Sequence, residues 1–80
     1  MSFMFEVMYK PPPDSQREEV LTESVSALGG VLSCREEPDS PEIGAVCFTY
    51  EFDDLHVAER AADCLRSRGE HVEGPVNYGD

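Results

Sequence analysis

Four closely spaced residues near the middle of the chain have side chains that could do chemistry together. They are Glu51, Asp53, Asp54 and His56, and paired carboxylates beside a histidine can bind a divalent cation or perform acid–base catalysis. An aspartate here would also cap a following helix, where acids interact favourably with the helix dipole. We expect the capping role, a solvated His71, and no catalytic residue, metal site or cofactor.

The cysteines are the second group with reactive side chains. Cys34, Cys47 and Cys64 are odd in number and form no Cys-x-x-Cys motif, which indicates reduced thiols rather than a disulfide framework or a zinc site. A hairpin turning about residues 40 and 41 would place Cys34 opposite Cys47. Such a pair is either a redox couple or soft-metal site, or two small hydrophobic residues in a sheet.

The charge balance restricts the possible partners. Seventeen acids against six bases give a net charge of −11, which disfavours binding to phosphate backbones and anionic lipid. The first residues include no basic side chain and their apolar run is interrupted by Glu6, so we expect neither a signal peptide nor a membrane span there. We therefore expect a cytoplasmic protein that binds no nucleic acid and no membrane. The five arginines each lie within four positions of an acid, so we expect local ion pairs.

Hydrophobic periodicity predicts the elements that position these residues. Alternation predicts strands over Phe3–Lys10 and Ala45–Phe52, with weaker strands over Val31–Glu36 and Glu70–Tyr78. Gly74-Pro75 places the last strand at a sheet edge or a bulge.

Two helices are predicted between these strands. Ser15 and Glu18 form a capping box at the start of the first helix, and Gly29-Gly30 ends it. Asp53 or Asp54 caps the second helix, whose apolar stripe is rich in alanine.

The element order βαββαβ predicts one α+β domain over residues 1–80 with a ferredoxin-like fold. Right-handed crossovers give a four-stranded antiparallel sheet of order 4-1-3-2 with both helices on one face. The predicted core comprises Phe3, Phe5, Val7, Leu21, Val25, Leu28, Val46, Phe48, Tyr50, Ala62 and Leu65.

The other sheet face is the candidate partner surface. It is predicted to carry Met4, Met8, Ala45, Cys47 and Thr49, which is more apolar than a solvated sheet face usually is. This composition fits a dimer or partner interface, or the partly apolar surface of an ordinary monomer.

The first half of the chain resembles two known families. The run Phe5-Glu6-Val7-Met8-Tyr9, followed by a Glu-rich helix and Gly29-Gly30-Val31, looks like the opening of the small-subunit ribosomal protein family that pairs with another ribosomal protein on ribosomal RNA. With Pro13-Asp14 before the helix, it is also similar to small-molecule-sensing ACT domains. Each resemblance implies the ferredoxin-like fold and carries over no binding residue.

Three functions are compatible with these features. The first is a small acidic, non-enzymatic interaction or regulatory module that self-associates through its open sheet face as a homodimer or binds a protein partner. The second is an ACT-like domain that binds a small-molecule effector at a dimer seam. The third is an enzyme that uses the cluster from Glu51 to His56.

Overall fold

Six elements follow one another in the residues that the computed structural model describes, 2–40 and 44–77. They are β1 (Phe3–Tyr9), α1 (Ser15–Ala27), β2 (Val31–Glu36), β3 (Val46–Phe52), α2 (Leu55–Ser67) and β4 (His71–Asn77). All six were predicted, and the strand ends differ from the prediction by one residue at most. The predicted end of the last strand at Tyr78 lies outside the described residues.

The strands form one antiparallel sheet in the order β2-β3-β1-β4. Read from the β4 edge, the same neighbours run 4-1-3-2. The two strands with the clearest alternation, β1 and β3, lie in the centre. The register of β4 against β1 shifts between Met4 and Glu6, next to Gly74 and Pro75, as expected of a bulged edge strand. The predicted α+β class with a four-stranded antiparallel sheet and two helices is confirmed.

The core lies on one side of the sheet, where both helices pack against the central strands. Alternate residues of β1 and β3 are buried there, because successive side chains of a strand point to opposite faces of the sheet. Residues paired across the two strands, such as Phe5 and Tyr50, lie on the same face. The core members are Phe5, Val7, Tyr9, Leu21, Val25, Val46, Phe48, Tyr50, Phe52, Ala58, Ala61, Ala62, Leu65 and Val72. Two predicted members differ: Phe3 is only partly buried, and Leu28 is 36% exposed because it caps the end of α1.

The ends of α1 differ in detail from the prediction. Asp14 is the N-cap and accepts a hydrogen bond from the Arg17 amide at 3.1 Å, so the capping box assigned to Ser15 and Glu18 is wrong. At the other end, Gly29 has a φ of +94°, which glycine adopts without steric strain. Gly30 does not share this conformation; its α-carbon lies so close to the core that a side chain would collide with it.

Helix α2 begins and packs as the sequence predicts. Asp54 is the N-cap, and its carboxylate accepts hydrogen bonds from the amides of His56 at 2.8 Å and Val57 at 3.1 Å. Its core-facing residues are three alanines and one leucine, Ala58, Ala61, Ala62 and Leu65. Small side chains at these positions let the helix backbone approach the sheet closely.

Polar bonds attach α1 to the rest of the fold, since its buried residues are only Leu21 and Val25. Arg17 pairs with Glu70 at 2.7 Å, and Arg35 pairs with Glu18 at 2.9 Å. The predicted local pairing is therefore wrong for Arg17, whose partner is distant in the sequence. It is confirmed for Arg35, which joins Glu18 on α1 and also pairs locally with Glu37 at 2.7 Å.

In the part of the chain that the structure describes, neither α1 nor α2 is long and apolar enough to cross a membrane.

Candidate functional site

The face of the sheet opposite the helices is not covered by any described element of the chain. We call it the open face, and the strand registers define its members. They are Val31, Cys34 and Glu36 of β2, Cys47, Thr49 and Glu51 of β3, Met4, Glu6 and Met8 of β1, and His71, Glu73 and Val76 of β4.

Four of the five residues predicted on this face lie there. Met4, Met8, Cys47 and Thr49 are half-buried among their strand neighbours, and Met8 lies directly opposite Cys47. Ala45 is half-buried and lies one residue before β3. The alternation of β1 and β3 was a sufficient signal for the centre of this face.

Glu6 lies between the two methionines at the centre of the open face. Its neighbours across the sheet are Thr49 on one side and Glu73 on the other. Its carboxylate accepts a hydrogen bond from the Cys47 thiol at 3.1 Å. Burial of the thiol and this hydrogen bond raise the pKa of Cys47 to about 12, so the thiol stays protonated at neutral pH and is a poor nucleophile or metal ligand.

The open face is strongly acidic as well as partly apolar. Its four carboxylates come from all four strands and belong to Glu6, Glu36, Glu51 and Glu73. The only histidine of the face, His71, pairs through Nε2 with Glu73 at 3.0 Å. The sequence predicts the apolar residues of this face but not the two carboxylates that β2 and β4 add to it, because the register of these strands depends on two bulges.

Cys34 and Cys47 are not directly opposed. The register of β2 against β3 shifts between Leu32 and Cys34, so Cys34 lies opposite Thr49, and Glu36 lies opposite Cys47. The two cysteines are diagonal neighbours, which places them further apart than a disulfide allows. The predicted facing pair is therefore wrong, because a bulge adds one residue to β2.

The cluster that could have been catalytic does not converge. Asp54 caps α2, whereas the carboxylate of Glu51 lies on the open face and accepts a hydrogen bond from the Ser2 hydroxyl. The His56 side chain is 88% exposed and lies 3.8 Å from Glu59. Across residues 2–40 and 44–77, no group of three or more histidine, cysteine or acidic side chains could hold a metal ion.

A polar network on the helix side fixes the end of β1 to α1. The Tyr9 hydroxyl donates to Glu18 and accepts from the Asp14 amide at 2.9 Å. Arg35 donates twice to Glu18 and lies 5.7 Å from the centre of the Phe48 ring. The hydrogen bonds from Arg35 lower the pKa of Glu18, and burial raises the pKa of Tyr9. The one signal in the sequence was a tyrosine at a core position, whose hydroxyl needs a partner.

The helix side also carries a groove of about 370 Å³ between α1 and the turn from α2 to β4. Arg17 and Glu70 form an ion pair at this groove, and Asp14 and Arg68 also line it. Arg68 donates to the Ser24 hydroxyl at 2.8 Å. The charged residues of the groove are therefore two arginines and two acids, and their net charge is zero.

No protein-family profile and no curated protein matches this chain. The fold and the site define its class only as an α+β domain with a four-stranded antiparallel sheet, two helices and an acidic sheet face that none of the described elements covers.

Proposed function

We propose that the protein is a small, non-enzymatic protein-interaction module of regulatory type whose contact surface is the open face. The observation that carries this proposal is the half-buried pair Met4 and Met8, at the centre of a sheet face that no described element covers. Flexible methionine side chains suit contact with a partner protein. We place this activity in the cytoplasm and expect neither nucleic acid nor membrane as the partner.

We also propose that the fold is ferredoxin-like. The element order βαββαβ, the central position of β1 and β3, and the contribution of both helices to one core support this assignment.

A non-enzymatic role is supported by how the reactive side chains are used. Asp54 caps a helix, Cys47 is protonated, and His71 pairs with a neighbouring carboxylate on the surface. An active site needs convergent polar groups in a concave, partly dry pocket. The described residues of the open face form a sheet surface instead.

The sequence predicts a second copy of the chain as the partner, but face-to-face pairing would bring two sets of four carboxylates together. Like charges in contact are destabilising, at a cost of up to several kcal/mol across an interface. Self-association stays a prediction, and a different protein is the partner that the charges favour.

Site-specific photo-crosslinking in the native cell tests the interaction. A photoreactive residue in place of Met8 is expected to give a discrete covalent adduct. The matched control is the same residue in place of Glu23, which is exposed on α1, in the opposite layer of the fold and outside the groove beside α1. Equal adduct patterns at the two positions, or none at Met8, would contradict the proposal. The mass of the adduct distinguishes a second copy from another protein.

The groove beside α1 favours a second candidate, a small-molecule-sensing domain. A groove of about 370 Å³ lined by Arg17 and Arg68 falls within the usual range for ligand pockets, roughly 300–1,000 Å³. Its balanced charges suit a small zwitterion. A thermal-shift screen of amino acids tests it, because a bound ligand raises the melting temperature by mass action. A shift that Arg68→Ala abolishes would favour this candidate.

A further inference from the structure

We propose that the partner surface docking on the open face is a basic protein segment in which lysine or arginine side chains alternate with apolar ones. This inference rests on the proposed function and adds the chemistry of the partner. It follows from the arrangement of charge and apolar groups on the face.

Two carboxylates repel each other within the open face. Glu6 and Glu73 lie directly opposite each other on neighbouring strands, and like charges in such pairs are destabilising. His71 pairs with Glu73, while among the described residues the Cys47 thiol is the one side-chain donor to Glu6. A partner cation placed above Glu6 would interact with both carboxylates and remove this repulsion.

Apolar and acidic side chains alternate at a regular spacing along β1. Met4, Glu6 and Met8 point to the same face at every second residue, which separates neighbours by about 6–7 Å in a strand. A carboxylate is thus flanked on both sides by an apolar side chain. A complementary partner surface would carry a cation with an apolar side chain on each side at the same spacing. Positions i, i+4 and i+8 of a helix meet this requirement, because they follow one another at about 6 Å along the helix axis.

The negative charge of the open face favours a basic partner over other occupants. Among the described residues, the cations next to the face are Lys10, which is exposed just beyond β1, and His71 when it is protonated. A second copy presents the same four carboxylates, and phosphate-bearing partners are repelled for the same reason. A basic segment is the occupant for which both the apolar and the charged residues of the face are complementary.

The test uses a short amphipathic helical peptide of leucine, lysine and alanine, with two comparison peptides in which serine or glutamate replaces lysine. Binding to the ¹⁵N-labelled protein is followed by NMR chemical-shift changes, which locate the contact. The lysine peptide is expected to shift the amides of β1 and β3, and increasing salt is expected to weaken binding, since exposed charges are screened.

Two double variants separate a specific site from general attraction to an acidic protein. Glu6→Gln with Glu73→Gln removes two charges from the open face, and Glu19→Gln with Glu23→Gln removes two from the exposed surface of α1. The first variant is expected to weaken binding about tenfold, because each exposed ion pair contributes modestly and two are lost. The second is expected to bind like the unmodified protein.

The outcomes distinguish this inference from the proposed function. If the serine peptide binds the open face as tightly as the lysine peptide, the inference is wrong and the interaction surface stands. If the two double variants weaken binding equally, the attraction is non-specific and the inference is wrong. If no peptide shifts the open face and the Met8 crosslinking experiment is also negative, both are wrong.

Discussion

Replacing Gly30 by alanine is expected to destabilise the protein by overpacking its core. The new β-carbon would lie 2.5 Å from Cζ and 2.7 Å from Cε2 of Phe52, and closer still to Cγ1 of Val25. Phe52 is 2% exposed and Val25 1%, so neither side chain can move into solvent. Overpacking of this kind costs about 1–3 kcal/mol. The free energy of unfolding of a domain of this length is about 4–12 kcal/mol. The expected loss is therefore a large fraction of the total stability.

The neighbouring Gly29→Ala change is the matched control, because it acts through a different cause. A β-carbon on Gly29 would meet nothing within 4 Å, but the residue has a φ of +94°. Strain in this left-handed conformation costs about 1–2 kcal/mol. The losses of stability expected for Gly30→Ala and Gly29→Ala overlap in size. The two causes are therefore distinguished by a second substitution in the core, which should interact energetically only with the change at Gly30.

Phe52→Leu provides that coupling, since it removes the ring atoms that a β-carbon on Gly30 would meet. Urea unfolding of the single and double variants gives the interaction energies. The pair Gly30→Ala and Phe52→Leu is expected to couple by at least about 0.5 kcal/mol, whereas Gly29→Ala and Phe52→Leu should add within about 0.5 kcal/mol. Simple additivity of the Gly30 pair would refute the packing argument.

Three further predictions concern side-chain contacts. Asp54→Ala is expected to cost about 1 kcal/mol in urea unfolding and Asp54→Asn much less, because asparagine keeps the capping oxygen; equal costs would contradict the capping role. The hydrogen bonds from Arg35 hold the pKa of Glu18 below its ordinary value. The ionised Glu18 therefore stabilises the folded protein above about pH 4.3, and this contribution is lost as the pH falls. The stability of Glu18→Gln should therefore depend less on pH between about 4.5 and 3, and an unchanged slope would count against this ion pair. Burial and the contact with Glu6 raise the pKa of Cys47 to about 12, so iodoacetamide should modify its thiol slowly at pH 8. Glu6→Gln should speed the reaction, as mass spectrometry can measure; an unchanged rate would contradict the contribution of Glu6 to the raised pKa.

The elements of the fold could be predicted because burial on one side imposes a period on the sequence. In β1 and β3 every second residue faces the core. The alternation of apolar residues therefore indicates that each segment is a strand, which of its faces is buried, and that it lies in the centre of the sheet. Strand β2 is exposed along its whole length and shows no such period. Its span was still recoverable from the glycines before it and the prolines after it.

Contacts between distant residues could not be predicted from the sequence. The bulge in β2 moves Cys34 from its expected place opposite Cys47 to a place opposite Thr49, and no residue type in that strand specifies such a bulge. The pairing of Arg17 with Glu70 depends on how the helices dock. A nearby acid in the sequence is a weak guide, because surface ion pairs differ little in energy.

The unequal attachment of the two helices has a consequence for how the protein opens. Helix α2 packs four buried residues into the core, whereas α1 packs two and depends on the bonds of Glu18 and Arg17. Cooperative units with fewer buried apolar contacts open at lower free energy. We therefore expect the amide hydrogens of α1 to exchange with solvent through a partial opening that leaves the sheet and α2 intact, with α1 as a separate unit of lower stability within this small domain.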